Sequence, residues 1–176
     1  YQKIYSLLKN KSHIGHEYIN SVSEPTYEEV DRITEEFRNK NIDSLIVFGG
    51  GSAIDIAKGV SVLLTNEGPA IAYRGYGLVK NTGVPLVVLP TTAGSGSEVT
   101  PNASFIDTKE SKKLGINTSL YLPKLTILDP ELTISCPRLG TVSSGLDALV
   151  HTLEAFSGRS ATPLARMFAR EAFKYI

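Results

Sequence analysis

With a single cysteine, Cys136, the chain cannot carry an intrachain disulfide framework, which suits the reducing cytosol. No apolar run approaches the roughly 20 residues needed to cross a bilayer, and no signal peptide is visible. Excess charge of either sign is missing too. Lysine plus arginine and aspartate plus glutamate each number 18, so nothing points to nucleic acid or to an anionic membrane as partner. An initial methionine is lacking, because the chain starts at Tyr1, and Ile176 falls inside a helical pattern. The 176 residues read as a fragment of a cytoplasmic protein, long enough for one full domain and part of a second.

What is present alternates between strand and helix patterns. Tyr1–Asn10 reads as the end of a helix with Ile4, Leu7 and Leu8 on one side, and Tyr18–Val22 as a short strand. Thr26 and Glu29 form a T-x-x-E capping box behind Pro25, and Val30, Ile33 and Phe37 follow at helical spacing, which predicts an amphipathic helix over Tyr27–Lys40. Ser44–Phe48 is an unbroken apolar run, as in a strand buried on both faces of a parallel sheet. After Gly49–Gly51 a helix opens at Ser52 with Ile54, Ala57, Val60 and Leu64 as its apolar set. Pro85–Leu89 is a second buried strand, Val99–Ile106 and Lys113–Asn117 form a hairpin, and Leu125–Leu128 is a short strand stopped by Asp129-Pro130. From Pro137 onward the pattern is helix only: Ser144 caps a helix through Phe156, Gly158 ends it, and Pro163 starts another. The predicted architecture is an α/β domain over residues 1–136 leading into helices over 137–176.

Three stretches carry chemistry. Gly49-Gly50-Gly51-Ser52 lies where a strand hands over to a helix. Bare glycine backbone and a helix N-terminus can both receive a phosphate there, although a plain tight turn with Ser52 as N-cap explains the same residues. On the following helix Asp55 and Lys58, three apart, read as a surface charge pair. Thr91-Thr92-Ala93-Gly94-Ser95-Gly96-Ser97-Glu98 offers four hydroxyls and two glycines directly after a buried strand, where open α/β sheets bind ligands. Asp147 and His151, four apart, share one helical face and can converge on a cation. Against that, Asp147 at the third position after a Ser144 cap stabilises a helix with no metal, and His151 can be a buried histidine. His13 and His16 form an H-x-x-H pair that reads as surface.

Together, G-G-G-S-A-I-D-I-A-K from Gly49, P-T-T-A-G-S-G-S-E-V-T from Pro90 and G-L-D-A-L-V-H-T-L-E-A from Gly145 resemble the iron-containing (group III) alcohol dehydrogenase family. The likeness runs from about Tyr18 to Ile176. It implies a Rossmann-like parallel-sheet dinucleotide-binding domain followed by the start of an all-α metal-binding domain. By that likeness Gly50, Gly51 and Ser52 hold the pyrophosphate of NAD or NADP, Asp55 lies near its nicotinamide, and Thr91, Thr92, Ser95 and Ser97 line the cofactor site. Ser95 stands where many members have threonine. Lys113 matches a lysine that reaches the ribose, Leu132 an apolar contact with the cofactor, and Asp147 and His151 the first two ligands of a divalent metal, Fe2+ or Zn2+. The implied reaction interconverts a small alcohol and its aldehyde or ketone by hydride transfer, with the metal as Lewis acid. A homo-oligomer is compatible with the family.

Two parts of the family pattern are absent: the first strand–helix unit, whose acidic residue selects NAD or NADP, and the helical portion with two further histidine ligands. A dehydroquinate synthase-like enzyme on the same fold and a non-catalytic dinucleotide-binding fragment are the rival readings. Substrate identity is not legible in Ile71–Gly83.

Overall fold

The computed structural model describes residues 2–11, 14, 16–19 and 24–176, with the side chains of 2–4 and 11 excepted. Helix α1 covers Gln2–Lys11. No strand forms at Tyr18 or Ile19, and the rest of the strand expected there, 20–22, lies outside the described residues. Tyr18 is instead pinned to the next helix: its hydroxyl donates to Glu29 at 2.6 Å and accepts from Arg32 at 2.9 Å.

Helix α2 runs over Tyr27–Arg38, and Thr26 caps it by accepting from the Glu29 amide at 3.1 Å. The return half of the capping box is not made, because the Glu29 carboxylate is engaged by Tyr18 and Arg32. Tyr27, Val30, Ile33 and Phe37 are all buried, as their period requires.

Strands β1 (Leu45–Gly49), β3 (Leu86–Pro90) and β6 (Leu125–Thr126) form a parallel sheet in the order β1-β3-β6, with Gly49 opposite Pro90. Helix α3 (Gly51–Leu63) follows β1 and packs Ile54 onto Leu86 and Val88. The expectation that β1 is buried on both faces does not hold. Leu45 and Val47 pack into the cluster of Ile54, Leu86 and Val88, whereas Ile46, on the opposite face, remains 44% exposed. An unbroken apolar run reports hydrophobicity, not how many layers lie against it.

A second sheet has the order β2-β5-β4. Strands β4 (Asn102–Asp107) and β5 (Lys112–Asn117) are the expected antiparallel hairpin, and the two-residue β2 (Gly75–Tyr76) runs parallel to β5. Strand β4 begins later than expected, because Ser97–Val99 coils into a 3-10 turn. Helix α3 is the hub of the molecule. Ile56, Val60, Val62 and Leu63 join Val30 and Ile33 of α2 and Phe105 and Ile116 of the hairpin in the main core. Gly59 permits that closeness, since a Cβ there would meet Val30 at 2.8 Å and Phe105 at 3.0 Å.

Beyond β6 the structure is helical. Helix α4 spans Arg138–Ser157 and α5 Pro163–Ala172, and the two pack against each other. Thr162 caps α5 through the Ala165 amide at 3.1 Å, with Pro163 in the first turn as expected. Ser144, expected to cap α4, lies inside it. The helix starts behind Pro137, and the Ser144 hydroxyl donates back to the Thr141 carbonyl at 3.2 Å. No helix among the described residues is long and apolar enough to cross a membrane.

Candidate functional site

Because β1 and β3 are parallel and in register through Gly49 and Pro90, the turns that follow them emerge side by side at the carboxyl end of the sheet. The Thr91 amide donates to the Gly49 carbonyl at 3.0 Å. A Cβ on Gly50 would lie 3.1 Å from the methyl and hydroxyl of Thr92, and one on Gly51 would lie 2.9 Å from Ser95 Cβ and Oγ. A Cβ at position 51 would force Ser95 to shift, and one at position 50 would crowd Thr92. Gly50 is also the N-cap of α3 and makes no side-chain cap bond, so Ser52 sits inside the first turn and not at the cap. Gly96, at φ +65°, supplies the left-handed turn that brings the loop into Ser97–Val99. The start of α3, with Ser52, Thr91, Thr92 and Ser95 near it in the two turns, offers amides and neutral hydroxyls suited to an anion.

One turn further along α3, the Asp55 carboxylate accepts from the Ser97 hydroxyl at one oxygen and from the Ser104 amide, at 2.9 Å, at the other. Burial raises the Asp55 pKa above the ordinary carboxylate value, and the bonds from Ser104 and Ser97 oppose the rise. Lys58 is not the surface partner that its spacing from Asp55 suggests. It is 0% exposed, and its Nζ donates to Ser97 Oγ at 3.2 Å and to the carbonyls of Thr100 and Asn102 at 2.9 Å each. Its ammonium also lies 5.5 Å from the centre of the Tyr121 ring. Burial pushes Lys58 down to about 8, against the opposing pull of Asp55 and Glu98. The two charges meet through the Ser97 hydroxyl.

Lys113, on β5, is exposed and pairs with Glu24 at 2.8 Å, yet its charge also lowers the pKa of Asp55, so it borders the same region. Leu132 lies half-buried in the 3-10 turn Pro130–Thr133, which packs against β3. A concavity of about 440 Å³ lined by Asp31, Arg38, Leu63 and Pro69 contains none of these residues and lies away from the turns.

Asp147 and His151 share one face of α4, with Nε2 to Oδ1 at 3.7 Å and side chains 48% and 53% exposed. Both alternatives weighed for them fail on position: Asp147 lies ten residues into its helix from Pro137, far beyond the first turn, and His151 is not buried. Helix α4 comes against the loop at Gly94, where a Cβ would fall 1.9 Å from the Ser144 carbonyl oxygen. Carboxylate and imidazole suit a divalent cation, but a catalytic ion takes three or four protein ligands, and no cluster of three His, Cys, Asp or Glu exists among the described residues. His13 lies outside the described residues. His16 is half-buried, bonds to Glu36 and meets the edge of Phe37, so it is committed to α2.

Lys58 and Gly94 are what the motifs hid. For Lys58 a signal existed, because it follows Ile54 by four residues and so shares the inward face of α3. For Gly94 there was none, because its partner is 50 residues away in sequence.

A model of the iron-containing alcohol dehydrogenase family matches residues 1–130 of the chain. Sulfoacetaldehyde reductase of Bilophila wadsworthia is 40% identical over 159 residues, 90% of this chain and 41% of that protein. Among solved structures, an iron-containing alcohol dehydrogenase of Thermotoga maritima superposes with a TM-score of 0.89 at 34% identity, covering 98% of this chain and 47% of that one. Sulfoacetaldehyde reductase of Bifidobacterium kashiwanohense in complex with NAD+ gives 0.83 at 31% identity, covering 98% and 48%. The chain therefore spans less than half the length of these relatives.

Proposed function

The chain belongs to the iron-containing alcohol dehydrogenase family, and on that premise we propose that the protein interconverts a small alcohol and its aldehyde or ketone by hydride transfer with NAD or NADP. One observation carries this reading: the contact of Gly50 with Thr92 and of Gly51 with Ser95, which joins two glycine turns into one cradle at the carboxyl end of a parallel sheet. The pyrophosphate would lie on the amides of Gly51 and Ser52, with Thr91, Thr92 and Ser95 around it. Asp55, its carboxylate fixed from two sides, keeps lone pairs free to accept from the carboxamide of a nicotinamide. Lys113 would approach the ribose and Leu132 would supply an apolar wall. The cofactor carries the hydride, and the cradle holds it in place.

Asp147 and His151 would hold a divalent metal, Fe2+ or Zn2+, which supplies Lewis-acid polarisation of the substrate oxygen. Gly94 would set how far that helical face stands from the cofactor loop. The helices from 137 onward would then open a second, metal-binding domain beside a dinucleotide domain over 1–136. The small alcohols and aldehydes named for its relatives make the same substrate class the expectation here.

The test is calorimetric titration of the chain with NAD+ and NADP+, followed by absorbance of reduced cofactor with primary alcohols in the presence of Fe2+. Saturable dinucleotide binding is the expected result. Failure of both dinucleotides to bind would sink the reading, and binding without turnover would limit the chain to cofactor recognition.

A further inference from the structure

The Lys58 ammonium is buried deep in α3 and takes no part in the cradle itself, yet it is placed to control Asp55. It has three protons and three near acceptors: the carbonyls of Thr100 and Asn102 at 2.9 Å each, and Ser97 Oγ at 3.2 Å. Thr100 Oγ1, at 3.4 Å, is a more distant fourth. A hydroxyl that accepts from an ammonium has one proton left to give, and Ser97 gives it to Asp55. We propose that Lys58 is a positioning residue of the dinucleotide site, acting through the Ser97 hydroxyl to hold the Asp55 carboxylate in its cofactor-facing orientation.

The reasoning is a count of protons. A neutral amine keeps two, and the carbonyls of Thr100 and Asn102 can only accept, so both stay committed there. The amine lone pair then faces Ser97 Oγ. Ser97 turns its single proton onto Lys58, and Asp55 loses one of its two donors, keeping only the Ser104 amide at 2.9 Å. The protonation state of a residue out of reach of the ligand thereby decides how a residue in the cradle is held. The charged and titratable groups facing Lys58 are few. Asp55 lies on its own helix, Glu98 on the 3-10 turn after the loop, and Tyr121, held neutral by burial, on the turn beyond the hairpin; Lys113 borders Asp55 from β5. The low value of about 8 for Lys58 brings its proton into an accessible range.

The proposal rests on the dinucleotide reading, so two measurements on the 176-residue chain separate the two claims. The first needs no ligand: the Asp55 carboxyl carbon is followed by NMR from about pH 6.5 to about pH 9.5, a window set by the lowered lysine value. Wild type is expected to shift with a midpoint near that of Lys58, and Ser97→Ala, which retains the lysine, to lose the shift. A shift that survives in Ser97→Ala would mean that the charge acts directly through space, and the relay is overturned. The second is the NAD+ dissociation constant over the same range, expected to weaken about tenfold as Lys58 deprotonates, with Ser97→Ala weak and flat throughout. A wild type that binds NAD+ with no pH dependence overturns the positioning role. If wild type binds no NAD+ at all, the functional reading fails, and the carboxyl signal still judges the relay. Lys58→Arg, which cannot deprotonate in this range, should abolish the pH dependence of both signals if it folds.

Discussion

Gly94 meets Ser144 backbone to backbone: a Cβ at position 94 would stand 1.9 Å from the Ser144 carbonyl oxygen and 2.5 Å from its carbonyl carbon. The loop after β3 and the helix bearing Asp147 and His151 thus meet at a point where no side chain fits. Gly94→Ala must push α4 away, and φ of +155° adds backbone strain. The expected cost is about 2 kcal/mol in urea unfolding, with faster amide exchange in α4 and unchanged exchange in α2. Exchange in α4 identical to wild type would show that the seam is not what holds this helix.

Gly51→Ala tests the cradle. The added methyl collides with Ser95 at 2.9 Å, while alanine is otherwise a good helix residue at that position. The fold should survive, as read by far-ultraviolet circular dichroism, and NAD+ affinity should fall about tenfold or more. Unaltered affinity would place the phosphates elsewhere.

Lys58 has a defined signature in stability against pH. Its folded value of about 8 lies below the ordinary 10.5. Under about pH 8 both folded and unfolded chains carry the proton, so this group adds no slope. Between the two values the unfolded chain binds more protons, so stability rises with pH; above 10.5 the gain is complete, and it is lost again as pH falls through 8. Urea unfolding of wild type against Lys58→Met should show the difference moving in favour of wild type as pH rises from about 8 to 10.5. Asp55, raised by burial, works in the acidic range with the reverse sense: its contribution is present below the ordinary value of 3.8 and is lost as pH rises.

His151→Ala separates metal binding from folding. The imidazole is half exposed and lies 3.7 Å from the Asp147 carboxylate, so unfolding stability should move by less than about 0.5 kcal/mol. Zn2+ binding, followed by calorimetry, should weaken by about tenfold or more relative to wild type. A large loss of stability with metal affinity unchanged would assign His151 to the scaffold.

Helix α2 and the β4–β5 hairpin were legible because their signals are local: a capping threonine with apolar residues at helical spacing in one case, two extended runs with a short connection in the other. The site was legible in part for the same reason. Its glycines, hydroxyls and the Asp147–His151 pair fall in runs whose chemistry is visible without a third dimension. What escaped depends on packing. Lys58 reads as a surface charge because its three-residue spacing from Asp55 has a local explanation, while the carbonyls that bind it come from more than 40 residues away. Ser144 imitated a cap because serine is good at one; the residues from Arg138 onward, helical once Pro137 had set the direction, outweighed it. The half-covered state of β1 was hidden because apolar content does not count layers.

The pairing of Gly49 with Pro90 has a consequence for how the molecule assembles. A slip of one residue between these strands would turn Ile46 inward, Val47 outward, and at the same step carry Gly50 out of reach of Thr92. A misaligned chain could still collapse and still give a mixed helix and strand spectrum, but it would have no intact cradle. If the cradle binds a dinucleotide as proposed, the fraction of refolded material that captures one would be a head count of correctly aligned molecules, independent of any catalytic assay.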